Sequence, residues 1–107
     1  MENVTERVHI GLDNDNVSHI VTDNPADTDF IDNDVSEMVL VLNGTEYKAS
    51  EGYFKYFNGG RIEWKLEDIG LVGFHQVELL KVIDPDHPKG QPLVSFETPY
   101  TLAFNFV

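Results

Sequence analysis

Apolar and polar positions alternate over residues 5–22, where Thr5 to Leu12 and Val17 to Thr22 flank the turn-forming run Asp13-Asn14-Asp15-Asn16. A four-residue loop sets Leu12 against Val17, Ile10 against His19 and Val8 against Val21. The predicted hairpin has Val8, Ile10, Leu12, Val17 and Val21 on one face and Arg7, Ser18 and Thr22 on the other. Residues 23–35 have Pro25 and little periodicity and read as an acidic loop, with Phe30 and Ile31 as its apolar anchors. The clearest local signal is MVLVL and TEYKA about Asn43-Gly44, a two-residue type I′ turn that needs positive φ at both positions. Its register pairs Leu42 with Thr45, Leu40 with Tyr47 and Met38 with Ala49. Those residues other than Thr45 form the predicted core face, and Val39, Val41, Glu46 and Lys48 lie on the other.

A second hairpin is expected from YFKYF and RIEWKL about Asn58-Gly59-Gly60, with Ile62, Trp64 and Leu66 dry and Arg61, Glu63 and Lys65 wet. Beyond Leu66 the apolar count fits a helix, but Gly70 and Gly73 would each cost about 1 kcal/mol inside one. A short turn over 67–70 and one long strand from Phe74 to Ile83 fit better. Two prolines and a glycine predict an exposed loop over 84–90. Leu93–Phe96 and Thr101–Val107 then close as strands on either side of Pro99. Seven or eight short strands, with turn signals roughly every 8–12 residues, predict an all-β sandwich or barrel.

The 107 residues carry no linker and no internal repeat, so residues 1–107 are expected to be a single domain. Cysteine is absent, which excludes disulfides, Cys-zinc sites and thiol nucleophiles. The opening MENVTERVHI has no basic stretch followed by an apolar run, so no secretory signal is expected. Seven basic against nineteen acidic residues give a net charge of −12. Phosphate backbones and anionic membranes are bound through Lys and Arg, so neither nucleic acid nor membrane is an expected partner. The imbalance is local as well: no Lys or Arg lies between Arg7 and Lys48.

Residues 36–107 resemble the small Ig-like β-sandwich proteins encoded among the structural genes of tailed bacteriophages and prophages. The likeness lies in VLNGTEYKAS, GGRIEWKLEDIGLVGF and VIDPDHPKGQPL, the last having the strand-end aspartate and His-Pro-x-Gly-Gln loop of that family. The resemblance implies an Ig-like antiparallel β-sandwich of about seven to eight strands. It implies a non-enzymatic virion or assembly component acting by protein–protein contact in the bacterial cytoplasm or in the particle. It brings no catalytic residues. Phe74 stands where a tyrosine corner would need a hydroxyl, and the Cys…Trp…Cys pattern is missing, so an antibody-like domain is not expected.

No nucleophile elbow, phosphate-binding glycine loop or His-Glu-x-x-His motif is present, and neither an enzyme nor a cofactor is expected. Of the four histidines, His9 and His19 would point to opposite faces, His19 to the apolar one, and no pair has zinc-ligand spacing. Calcium is the stronger metal hypothesis, because hard oxygen ligands are dense at Asp13, Asp15, Asp27, Asp29, Asp32 and Asp34. Neither acidic run has the EF-hand spacing, and a solvated acidic loop explains both. Tyr53, Phe54, Tyr56 and Phe57 put aromatic area on both faces of one strand, so one pair is a candidate partner interface. Two further functional classes remain open. The charge suits an acidic inhibitor or DNA mimic that blocks a basic host protein, and the Asp/Asn loops suit a calcium-stabilised adhesion or carbohydrate-binding module.

Overall fold

Where a short positive-φ turn joins two strands, the expected hairpins form. Asn43 and Gly44 have φ of 50° and 75°, and the strands beside them pair Leu42 with Thr45 and Leu40 with Tyr47. Gly59 and Gly60 have φ of 86° and 79°, and Phe57 pairs with Arg61 across them. In the computed structural model, which describes residues 2–107, these hairpins belong to an all-β sandwich of three small sheets about one core.

The strands are β1 (Glu2–Val8), β2 (Val17–His19), β3 (Glu37–Leu42), β4 (Thr45–Lys48), β5 (Phe54–Phe57), β6 (Arg61–Trp64), β7 (Gly73–Gln76), β8 (Leu79–Asp84), β9 (His87–Ser95) and β10 (Tyr100–Phe106). They are arranged β1-β10-β7, β2-β6-β5 and β4-β3-β8-β9. Ten strands replace the seven or eight expected, and the sheets are not wholly antiparallel: β1 runs parallel to β10, from Glu2 beside Tyr100 to Val8 beside Phe106.

That parallel pairing dissolves the predicted first hairpin. The Val107 N–H donates to the Val8 carbonyl and the Ile10 N–H to the Val107 carbonyl, so β1 is committed to β10 and β2 pairs with β6 instead. Asn14 folds the intervening loop on itself. Its side chain accepts from the His9 N–H and donates to the carbonyls of His9 and Leu12. Ile10, Leu12 and Val21, assigned to the core by alternation, are exposed, while Ser18 and Ile20 are buried. The phase of β2 is thus shifted by one residue, which reverses every side chain, and His19 faces solvent.

The expected 74–83 strand is really two. At Val77 the N–H donates to the Leu102 carbonyl, and at Glu78 to the Val41 carbonyl, so the chain leaves one sheet and enters another within one residue. The expected 84–90 loop is also replaced, by the tight turn Pro85-Asp86 and the start of β9. The Asp84 carboxylate makes this possible by accepting from the backbone N–H groups of Asp86 and His87. Pro88 and Pro92 are tolerated because β9 is an edge strand with register irregularities, where a missing N–H need not break a ladder.

In the acidic loop, Pro25–Thr28 forms a 3-10 turn capped by Asn24. Phe30 is fully buried as expected, but Ile31 is 59% exposed. Ala49 starts a second 3-10 turn and so does not pair with Met38. Val39, assigned to the outer face, is buried between its register partners Lys48 and Lys81, whose long stems shield apolar neighbours.

Trp64 joins two sheets at the centre of the core. Its ring lies 5.0 Å from Phe54 within its own sheet and 5.0 Å, edge-on, from Phe104 of β10. Its indole N–H donates to the buried Ser18 hydroxyl at 2.8 Å.

Candidate functional site

The four aromatics proposed as an interface divide between core and surface. Phe54 is 1% exposed and packs on Trp64, so it presents no surface. Tyr56 lies on the same inward face, where its ring meets Phe30 edge-on and its hydroxyl donates to the Val35 carbonyl at 3.1 Å. Tyr53 is half-buried with its ring edge-on to Tyr47. Phe57 alone of the four is exposed, and the Arg61 guanidinium lies over its ring at 5.1 Å.

The larger exposed apolar area is elsewhere. Val72 and Phe74 are 74% and 62% exposed where the chain enters β7, an open edge of its sheet. Val107, which follows the neighbouring strand β10, is exposed as well. Sequence reasoning missed this area because it made Phe74 the start of one long strand running to Ile83, with no face assigned to it. The available signal was the pair Gly70 and Gly73, both with φ of 83°, which bracket the core-packed Leu71 and the exposed Val72.

The candidate acidic ligands do not come together. Asp27, Asp32 and Asp34 line a groove of about 410 Å³ with Asp84, Asp86 and His87 of the β8–β9 turn. Burial raises the Asp84 carboxyl, but hydrogen bonds from the His87 ring and backbone, the His87 charge and the Asp86 N–H outweigh it and hold it below the usual carboxylate range. Asp13 and Asp15 lie instead at a second groove, of about 610 Å³, beside β5 and β6. Asp29 is half-buried in the turn that follows Thr28. Among the described residues no three His, Cys, Asp or Glu side chains converge closely enough to hold a metal ion, so the candidate calcium ligands do not form a cage. His9, His19, His75 and His87 are likewise not brought together. His75 contacts the Val72 carbonyl at 3.0 Å, and His87 contacts Asp84.

No helix among the described residues is long and apolar enough to cross a membrane. No protein-family model, curated protein or solved structure matches the chain.

Proposed function

We propose that the chain works by protein–protein contact and not by catalysis, as a small virion or assembly component of a bacteriophage or prophage. The observation that carries the contact reading is the apolar edge at Val72 and Phe74. An open strand edge offers unpaired backbone groups, and exposed large apolar side chains beside it favour strand or surface addition by a partner. The phage role rests on the resemblance of residues 36–107 to Ig-like particle proteins. Its partners are then a second copy of the chain or another protein of the particle, met in the host cytoplasm and retained in the virion. Light scattering on a sizing column tests it: a defined oligomer is expected, reduced to monomer by Phe74→Asp. Monomers from both proteins would overturn self-association through this edge.

A second reading, the acidic inhibitor or DNA mimic, is favoured by one observation. Asp27, Asp32, Asp34, Asp84 and Asp86 surround one groove on the folded body and do not trail on a free loop. The loop that carries three of them is fixed by the buried Phe30 and by Asn33, whose amide donates to the Ala26 carbonyl. Recovery of one host protein from a lysate, released by duplex DNA, supports this reading. Its persistence with Asp32→Asn and Asp34→Asn together would refute it.

A further inference from the structure

The two sides of the β1-β10-β7 sheet differ in charge. Alternation turns Glu2 and Glu6 to the inward side, with Val8 and the buried Tyr100, Leu102, Phe104 and Phe106. After burial, the charges of both glutamates help to push the Tyr100 hydroxyl up to about 12, in keeping with that side. The outward side has Arg7, Asn105 and Phe74 in one row across the three strands, since Arg7 pairs with Asn105 and Asn105 with Phe74. Gln76 lies two residues along on the same side as Phe74, and the exposed Val107 two residues beyond Asn105. Val107 is held to the sheet by its N–H bond to the Val8 carbonyl. The other outward positions of these strands are Asn, Thr and Ala. Among the described residues of the three strands no acid lies on this side, in a chain with nineteen acids in 107 residues. Its one full charge is Arg7, whose guanidinium makes no ion pair among the described residues.

A surface of complementary character lies on the same chain. Ile31 is exposed, and next to it in sequence is Asp32, which lines one groove with Asp27, Asp34, Asp84 and Asp86. No Lys or Arg lines that groove. The loop is fixed in place: the Ile31 N–H donates to the Asn58 side-chain oxygen at 2.7 Å, and the Val35 N–H to the Phe30 carbonyl at 3.0 Å. An apolar side chain beside a group of carboxylates is thus presented with little left to order on binding.

We propose that the outward side of the β1-β10-β7 sheet docks on the Ile31 acidic loop of a second copy of the chain, with Phe74 and Val107 against Ile31 and Arg7 against the carboxylates of the groove. The inference rests on the self-association reading above and names the surface that the second copy presents. Charge complementarity selects it. Sheet against sheet would leave each Arg7 with no acid to meet, and loop against loop would oppose carboxylates. The contact is therefore heterologous: each copy uses one surface and offers the other, so the product is a closed ring or a filament and not a two-fold dimer. Two chains of net charge −12 repel at long range. At about 0.15 M salt that repulsion is screened beyond roughly 8 Å, and the local match decides. Three strands about 4.8 Å apart and seven residues at about 3.3 Å each make a sheet face of roughly 15 by 20 Å, the low end for a specific interface. Assembly should accordingly depend on chain concentration.

Complementary variants of the full chain test the arrangement by light scattering at about 0.15 M salt. Phe74→Asp blocks the sheet side and Ile31→Asp the loop, and both residues are exposed, so each variant should melt at the parent temperature. Alone, each should be monomeric. Mixed in equal amounts, each retains the surface that the other lacks, and a species of twice the chain mass and no larger is expected. Arg7→Glu should raise the concentration for half-assembly about tenfold, whereas Lys55→Glu, the same charge change outside both surfaces, should alter it less than twofold. Asp32→Lys with Asp86→Lys takes the place of Ile31→Asp if that variant melts low. Retention of the parent mass by the loop variants, or a mixture that stays monomeric, would overturn heterologous docking while a Phe74-dependent oligomer left self-association standing. A monomeric parent would refute both.

Discussion

Gly60 and Gly59 are neighbours in one turn with nearly the same φ, 79° and 86°, and they should respond very differently to alanine. At either position the new side chain would sit in the left-handed region, which costs about 1–2 kcal/mol. At Gly59 nothing lies within 4 Å of the added Cβ, so this strain is the whole effect. At Gly60 the Cβ would overlap the Ile20 carbonyl oxygen and lie 3.2 Å from its carbon. Backbone cannot swing aside as a side chain can. The adjustment would stretch the Ile20 N–H bond to the Gly60 carbonyl, 2.7 Å long, and the Gly60 N–H bond to Thr28, 3.2 Å long. Each is worth about 1 kcal/mol net. Gly60→Ala should therefore lose about 3–4 kcal/mol, a large share of the roughly 5–15 kcal/mol that holds a domain together. Urea unfolding followed by Trp64 fluorescence measures both variants on one scale. The difference of about 2 kcal/mol between them corresponds to roughly 10 °C in melting temperature. Equal destabilisation would refute the close approach of the 58–60 turn to Ile20 and, with it, the docking of the acidic loop on that turn.

Other consequences are more local. Ser18→Ala leaves the buried Trp64 N–H without an acceptor and should cost about 1–3 kcal/mol by urea unfolding, whereas loss of a surface hydroxyl would be near neutral. Burial raises the Glu37 carboxyl, but hydrogen bonds from the Ser50 side chain and backbone and from Met38, with the Lys48 charge, hold it below its ordinary value. Its contribution is therefore present above the ordinary carboxylate range and lost as pH falls through the folded value, so Glu37→Gln should flatten the acid limb of a stability–pH curve. Glu6 is shifted the opposite way, raised by burial, and its neutral form is favoured in the fold. Stability is lost there as pH rises through the folded value, so Glu6→Gln should be neutral or stabilising at pH 7 by thermal unfolding. Millimolar calcium should leave the melting temperature unchanged, because no cage of acidic side chains forms.

The elements legible in the sequence are those decided within about ten residues. Asn43-Gly44 and Asn58-Gly59-Gly60 fix their hairpins because the turn needs positive φ and the adjoining strands alternate. Phe30 could be placed in the core because a large aromatic amid aspartates has nowhere else to go. Long-range choices were not legible. The alternation of 5–22 fits a local hairpin, but a parallel neighbour almost a hundred residues away claims β1. Nothing near Val77 and Glu78 marks a change of sheet, because each N–H finds its acceptor on a distant strand. Phe54 could not be separated from Phe57 as interface or core until the phase of β5 against Trp64 was known.

The same long-range choices create the surfaces on which a function can be argued. Pairing of β1 with β10 releases the 9–16 segment from a hairpin, and the freed loop becomes one side of the groove beside β5 and β6. The change of sheet at Val77 leaves β7 as a short open edge and turns Phe74 outward. Conversion of the 84–90 loop into a tight turn brings Asp84 and Asp86 against the acidic loop, where they line one groove with Asp27, Asp32 and Asp34. A hairpin over 5–22 and an unbroken 74–83 strand would have supplied none of these. Local rules that fail against the global fold tend to fail at functional places, and here the three failures coincide with the apolar edge and the two charged grooves. Substitutions that restore the local preference offer the sharpest way to separate these surfaces from the scaffold. Asn14→Ala is one, since it removes the amide that folds the 9–16 loop on itself while leaving every core residue in place. It should leave the Phe74-dependent mass unchanged, and loss of the oligomer would mean that the 9–16 loop and the β7 edge are not independent.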